Sequence, residues 1–181
     1  VLGSMTRHDA LNQLSVVRGR LELLRMKSTD PQVLKQVDDS LQSANAIRAI
    51  LEFTGQYQNL GVSGPAWIDV SKAFGEAVQR ADPKRVRAVA EVDGLEILAD
   101  IMFEKVLANF VDNSIRHGER VSTVRLHHRE TPDGLVLVYE DDGVGIAEAD
   151  RANLFKRGFG KHTGFGMYLS KEILEFSGMG V

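Results

Sequence analysis

The chain has 181 residues, 43% of them hydrophobic and 26% charged, a mixture that suits one or two small packed domains and excludes a disordered chain. Its net charge is −3 with neither half strongly basic, which argues against a nucleic-acid surface, and it has no cysteine, which excludes disulfides and thiolate chemistry. No apolar run approaches the roughly 18 residues that a bilayer span needs, so this stretch of chain is expected to make no membrane contact and to sit in the cytoplasm.

Two long helices are predicted first. Leu11, Leu14, Val17, Leu21 and Leu24 recur at spacings of three and four and form one apolar stripe. Residues 27–31 break the pattern, with Pro31 well placed at a helix start. Leu34, Val37, Leu41, Ala44, Ile47 and Leu51 continue a stripe on a second helix that ends near Tyr57. The short connection makes the helices antiparallel neighbours. One hairpin does not surround its own apolar seam, whereas two hairpins joined in a four-helix bundle do, so a homodimer is expected.

Residues 1–60 are therefore read as a helical hairpin, 61–66 as a glycine- and proline-bearing linker, and 67–181 as a second domain. In that domain the pattern predicts a strand at 67–70, a helix over 71–80, and a strand over 86–92. Asp93-Gly94 predicts a hairpin turn into a return strand at 95–98, and Asp100 is expected to cap a helix from 101 to about 117. Strands over 124–129 and 135–139 follow, turned by Pro132-Asp133-Gly134, then a glycine-rich loop from 142 to 145. A short helical stretch near 148–154, a second glycine-rich loop over 158–164 and a helix over 165–176 complete the chain. Strands mixed with helices and joined by tight turns predict an α+β sandwich with a mainly antiparallel sheet.

Three motifs in this domain carry chemistry. Asn109 and Asn113, four apart on a half-apolar helix, offer amide oxygens, which are hard ligands of the kind Mg²⁺ shares with phosphates. Asp141 ends a strand, where a carboxylate can hold a ligand amino group, and Gly143 and Gly145 let backbone approach a flat ligand. Residues 155–166 combine glycines with Arg157, Lys161 and His162 and lead into a helix N-terminus, which suits a polyphosphate. The loop is neither a Walker loop nor a dinucleotide fingerprint, since the spacings of both are missing.

In this order, on helix, strand-end loop and lid, the motifs resemble the ATP-binding family shared by gyrase, the heat-shock ATPase chaperones, histidine kinases and mismatch-repair ATPases. Residues 109–117 (NFVDNSIRH) look like its asparagine box, 141–146 (DDGVGI) like the first glycine box, and 164–167 (GFGM) like the second. The resemblance covers residues 66–181 and implies ATP and Mg²⁺ as cofactors. It implies that Asp141 contacts the adenine amino group and that Asn109 and Asn113 handle Mg²⁺ and phosphates. Arg116, His117, Gly143, Gly145, Arg157, Lys161, His162, Thr163, Gly164 and Gly166 are implied around the nucleotide. Asp142 departs from the asparagine of many relatives, and Met167 from their leucine. The chain also stops at 178–181, before the final strands usual in the family, so the domain is expected to be truncated and its sheet to lack an edge.

On the first helix, residues 7–14 (RHDALNQL) resemble the phosphoacceptor box of histidine kinases, which runs histidine, acid, then a polar amide four after the histidine. The chemistry accounts for the pattern. A neutral imidazole nitrogen attacks the γ-phosphorus, so His8 must be uncharged and oriented. Asp9 can accept a hydrogen bond from the other ring nitrogen and take its proton as the N–P bond forms. Asn12 lies one turn on and reaches the same phosphoryl site.

The combined resemblance is to a sensor histidine kinase core. It implies Mg-ATP-dependent autophosphorylation of His8, then transfer to an aspartate of a response regulator receiver domain, with phosphatase activity left open through Asn12. It also implies an upstream sensor domain outside this chain. The alternative is an ATPase or serine kinase of the same nucleotide-binding family. Those relatives place a basic glutamate where this chain has Asn109, and an amide takes no proton. A catalytically silent dimeric module is the other alternative; it would show damaged motifs, and none is damaged here.

Overall fold

The structure, a computed structural model, describes residues 2–81, 86–157 and 165–181, with side chains from residue 5 onward. The described residues divide into two compact units, residues 2–59 with 165, and residues 60–81, 86–157 and 166–181.

The first unit is built on α1 (Leu2–Lys27) and α2 (Pro31–Tyr57). Asp30 caps α2: its carboxylate accepts the Gln32 N–H at 2.8 Å, and Pro31 takes a first-turn position where its missing N–H leaves nothing unsatisfied. The helices run antiparallel. Arg7, early in α1, lies across Gly55 and donates to Gln58 Oε1 at 2.7 Å, while Arg25, late in α1, meets Asp38 at 3.3 Å. Gly55 makes room for Arg7, since a Cβ there would stand 2.6 Å from the guanidinium Nε. Val37, Ala44 and Gly55 are the buried residues of α2. Val17, Leu24 and Ile47 of the expected stripes remain 46–50% exposed.

The second unit contains β1 (Pro65–Asp69), α3 (Val70–Ala81), β2 (Arg87–Glu91), β3 (Glu96–Asp100) and α4 (Phe103–His117). It continues through β4 (Thr123–Thr131), β5 (Gly134–Asp141), α5 (Glu148–Arg151) and α6 (Gly166–Phe176). α3 packs on α4, and α4 on α6. Phe74, Phe103, Leu107, Leu126 and Ile173 are fully buried between helices and strands. Each such side chain contributes roughly 1.5–3 kcal/mol by leaving water.

Strand pairing corrects two expectations. The Asp93-Gly94 turn reverses the chain, with Gly94 at φ +75° and Leu95 N–H donating to Val92 O at 3.0 Å. The flanking strands nevertheless do not pair with each other. β3 pairs antiparallel with β1, and β2 pairs parallel with β4, which pairs antiparallel with β5. The turn fixes a reversal, but β1 and β4 claim the two strands, giving a two-stranded antiparallel sheet β1-β3 and a mixed three-stranded sheet β2-β4-β5. The second correction concerns Asp100, which is the last residue of β3 and not the cap of α4. Its carboxylate accepts the N–H of Met102 and of Gly61, each at 2.8 Å, and its own N–H donates to Ser177 Oγ at 3.2 Å. The helix starts two residues later than expected, and Met102 stands at its N-cap.

Among the described residues no helix is long and apolar enough to cross a membrane.

Candidate functional site

In the second unit the middle of α4 faces the end of β5 and the start of α6. Asn109 spends its amide nitrogen on α6, donating to Gly166 O and to Ser170 Oγ, both at 3.1 Å. Its Oδ1 is thereby left as the available donor oxygen. Asn113 is half-buried one turn further along α4. Among the described residues no group of three His, Asp or Glu side chains gathers to hold a metal. Two amide oxygens are a sparse donor set. They fit a cation such as Mg²⁺, which keeps several waters and takes phosphate oxygens.

Asp141 closes β5 with its carboxylate at the surface. Oδ2 accepts the Ser114 hydroxyl at 2.6 Å, and Oδ1 accepts the Gly143 N–H at 2.9 Å. Ser114 Oγ also lies 2.8 Å from the Tyr139 hydroxyl. Burial, the largest influence, pushes the Tyr139 phenol up to about 12; Asp141's charge adds to this and the Ser114 bond opposes it. Asp142 turns the other way. It accepts the Ser122 hydroxyl at 2.5 Å and the N–H groups of Ser122 and Thr123 at 2.8 and 2.9 Å, anchoring the start of β4. These donors, the Ser122 hydroxyl first, hold its carboxyl down to about 2.

The glycines have distinct duties. A Cβ on Gly143 would stand 2.8 Å from Gly118 Cα and from Asp141 Oδ1, so the loop lies directly against the turn after α4. Gly118 is equally confined, with Val121 and Ser114 O inside contact distance of a Cβ. Gly145 occupies φ +75°, a left-handed conformation that favours glycine. Arg116 is exposed and pairs with Asp112 at 2.7 Å, and His117 is exposed beside it. Arg157 is exposed at the end of the turn after α5. Lys161, His162, Thr163 and Gly164 lie outside the described residues, whereas Gly166 opens α6.

The structure thus sets Asn109 against Gly166 on α6, and Asp141 against Gly143 and, through Ser114, against α4 one residue beyond Asn113. It adds Ser114, Tyr139, Gly118 and Ser122, which the sequence reading passed over. For Ser114 a signal existed. It falls three after Val111 and seven after Leu107, on the apolar face of α4, where a hydroxyl needs a partner.

In the first unit His8 is exposed on α1, with its side chain 73% accessible. Its Nδ1 stands 3.4 Å from Asp9 Oδ1 and 3.3 Å from Asn12 Nδ2. Both neighbours therefore address the same ring nitrogen. When Asp9 accepts the Nδ1 proton, Nε2 carries the lone pair and faces solvent.

Residues 99–180 match the family described as histidine kinase-, DNA gyrase B-, and HSP90-like ATPase. The chain is similar to the alginate biosynthesis sensor protein KinB of Pseudomonas aeruginosa, 26% identical over 91% of this chain and 30% of that protein. It is also similar to the sensor histidine kinase DpiB of Escherichia coli, 28% identical over 90% of this chain and 30% of that protein. The chain therefore spans under a third of the length of these relatives. Among solved structures, full-length ShkA in complex with AMPPNP superposes with a TM-score of 0.62, covering 98% of this chain and 41% of that one at 20% identity, a likeness of fold.

Proposed function

We propose that this chain, a sensor histidine kinase core with its ATP-binding domain, transfers the γ-phosphoryl group of ATP to His8. The observation that carries the reading is the pairing on one chain of two sites. One is an exposed imidazole with a carboxylate and an amide at a single ring nitrogen. The other is an ATPase-type site around Asn109, Asn113 and Asp141.

Asp141 holds the adenine amino group, and its surface position with both oxygens already oriented supports this role. Asn109 and Asn113 hold the magnesium ion, which neutralises phosphate charge when bound. Gly143, Gly145 and the N-terminus of α6 at Gly166 surround the nucleotide, with Arg116, His117 and Arg157 as cationic neighbours on the same unit. The family resemblance assigns the remaining phosphate contacts to Lys161, His162, Thr163 and Gly164, which lie outside the described residues. At His8, Asp9 accepts the Nδ1 proton, Nε2 attacks phosphorus, and ADP leaves. Asn12 competes for Nδ1, and when it donates there the proton resides on Nε2 and attack stops. The phosphoryl group then passes to an aspartate on a response regulator receiver domain. The partly exposed apolar stripes of α1 and α2 pack against a second copy of the chain.

The test is incubation with γ-labelled ATP and Mg²⁺, followed by acid and base treatment. Phosphohistidine is acid-labile and base-stable. The His8→Gln variant is expected to bind ATP normally and to take up no label. Acid-stable, base-labile label on that variant would identify a serine or threonine acceptor and overturn the reading.

A further inference from the structure

Behind Asp141 runs a chain of polar contacts that the proposed nucleotide contacts do not use. Ser114 is only 3% exposed, among apolar neighbours on α4, where an unpaired hydroxyl is costly. Its single proton goes to Asp141, because an ionised carboxylate only accepts. The Tyr139 hydroxyl, 2.8 Å from Ser114 Oγ, therefore donates to it. The Tyr139 ring is itself held by Phe74, edge-on at 6.3 Å, and by Phe110 at 5.5 Å. Each Asp141 oxygen thus has one protein donor, Ser114 on one side and Gly143 on the other.

We propose that Ser114, braced by Tyr139, is a positioning residue that fixes the plane of the Asp141 carboxylate and so sets the preference of this site for adenine over guanine nucleotides. The proposal rests on the reading of Asp141 as the adenine contact. With a donor on each oxygen, the carboxylate does not rotate without losing a hydrogen bond. The lone pairs that remain face outward. Adenine presents a donor amino group to them, whereas guanine presents an acceptor oxygen at the same position. Two acceptors held face to face repel, and the base is rejected. Without Ser114 the carboxylate turns aside, so adenine loses part of its contact and guanine loses part of its penalty.

The experiment is calorimetric titration of the whole chain with Mg-ATP, Mg-GTP and the triphosphate of purine riboside, which lacks the 6-amino group. Ser114→Ala is expected to weaken ATP binding by roughly tenfold, the loss of one hydrogen bond to a charged group. Binding of the purine triphosphate should stay unchanged and the ATP-to-GTP ratio should fall. Tyr139→Phe keeps the ring packing and should show the same pattern at smaller amplitude, which guards against misfolding of the serine variant. An unchanged ATP-to-GTP ratio in both variants, or an equal loss for all three nucleotides, overturns the proposal. Asp141→Ala separates the levels. If it weakens ATP binding and Ser114→Ala does not, the positioning role alone fails; if Asp141→Ala also leaves ATP binding intact, the adenine assignment fails with it.

Discussion

Asp141 and Asp142 are adjacent in sequence and have opposite duties. Asp141 is the proposed contact to the adenine amino group, and truncation to alanine is expected to weaken ATP binding by about 1.5–3 kcal/mol, measured by calorimetry. Asp142 is consumed internally by Ser122 and Thr123. Its carboxyl sits near 2 in the folded protein against an ordinary 3.8, so the unfolded chain takes up the proton first as acid is added. The stability it contributes is complete above its unfolded value and is lost as the pH falls through its folded value. Thermal melts from pH 6 to pH 2 should show a steeper acid loss for the native chain than for Asp142→Asn. The asparagine keeps an oxygen for the two N–H groups and does not titrate. Equal slopes would deny the clamp.

At the scale of elements, the contact between the turn after α4 and the loop after β5 sets the site. Gly118 has an ordinary helical φ of −78°, so its constraint is space and not conformation. Gly118→Ala is expected to cost about 1–3 kcal/mol of stability by overpacking, read from denaturant midpoints. Gly143→Ala should cost a similar amount by the same physics, and should also weaken ATP binding, because the new methyl would crowd Asp141 Oδ1. The helices were legible in sequence because their apolar periods are long and Asp30-Pro31 marks a start. The β4–β5 hairpin was legible from Pro132-Asp133-Gly134, and the strand-end place of Asp141 followed from it. The pairing of β2 with β4 was not legible, since a turn signal announces a reversal and not a partner. The Ser114–Asp141 bond spans 27 positions and depends on that tertiary arrangement. The glycines were expected to serve the ligand; Gly143 in addition serves Gly118, a contact that no local pattern encodes.

At the scale of the whole molecule, the proposed pairing with a second copy rests on the exposed apolar residues of α1 and α2. Sedimentation of the chain should give a dimer at tens of micromolar that dissociates on dilution. Val17→Glu combined with Ile47→Glu, both at positions now about half exposed, should yield a monomer that still binds ATP. A monomeric native chain at high concentration would contradict the bundle.

The latch at Asp100 has a consequence for how fast such a molecule can work. Gly61 is fastened to the second unit by its N–H on Asp100 and sits at φ +77°, where a Cβ would meet the Phe176 ring at 2.6 Å. Residues 58–60 link the end of α2 to that anchored glycine, a tether that reaches about 14 Å when fully drawn out. If His8 takes its phosphoryl group from the nucleotide on its own chain, so short a leash sets the effective concentration at about millimolar order. Encounter is then never scarce, and labelling is governed by how often the tethered partners sample the one productive orientation. Spacers of glycine and serine inserted after Asn59 should slow labelling progressively with their length, while Asp100→Asn, by slackening the anchor, should act like the shortest of them.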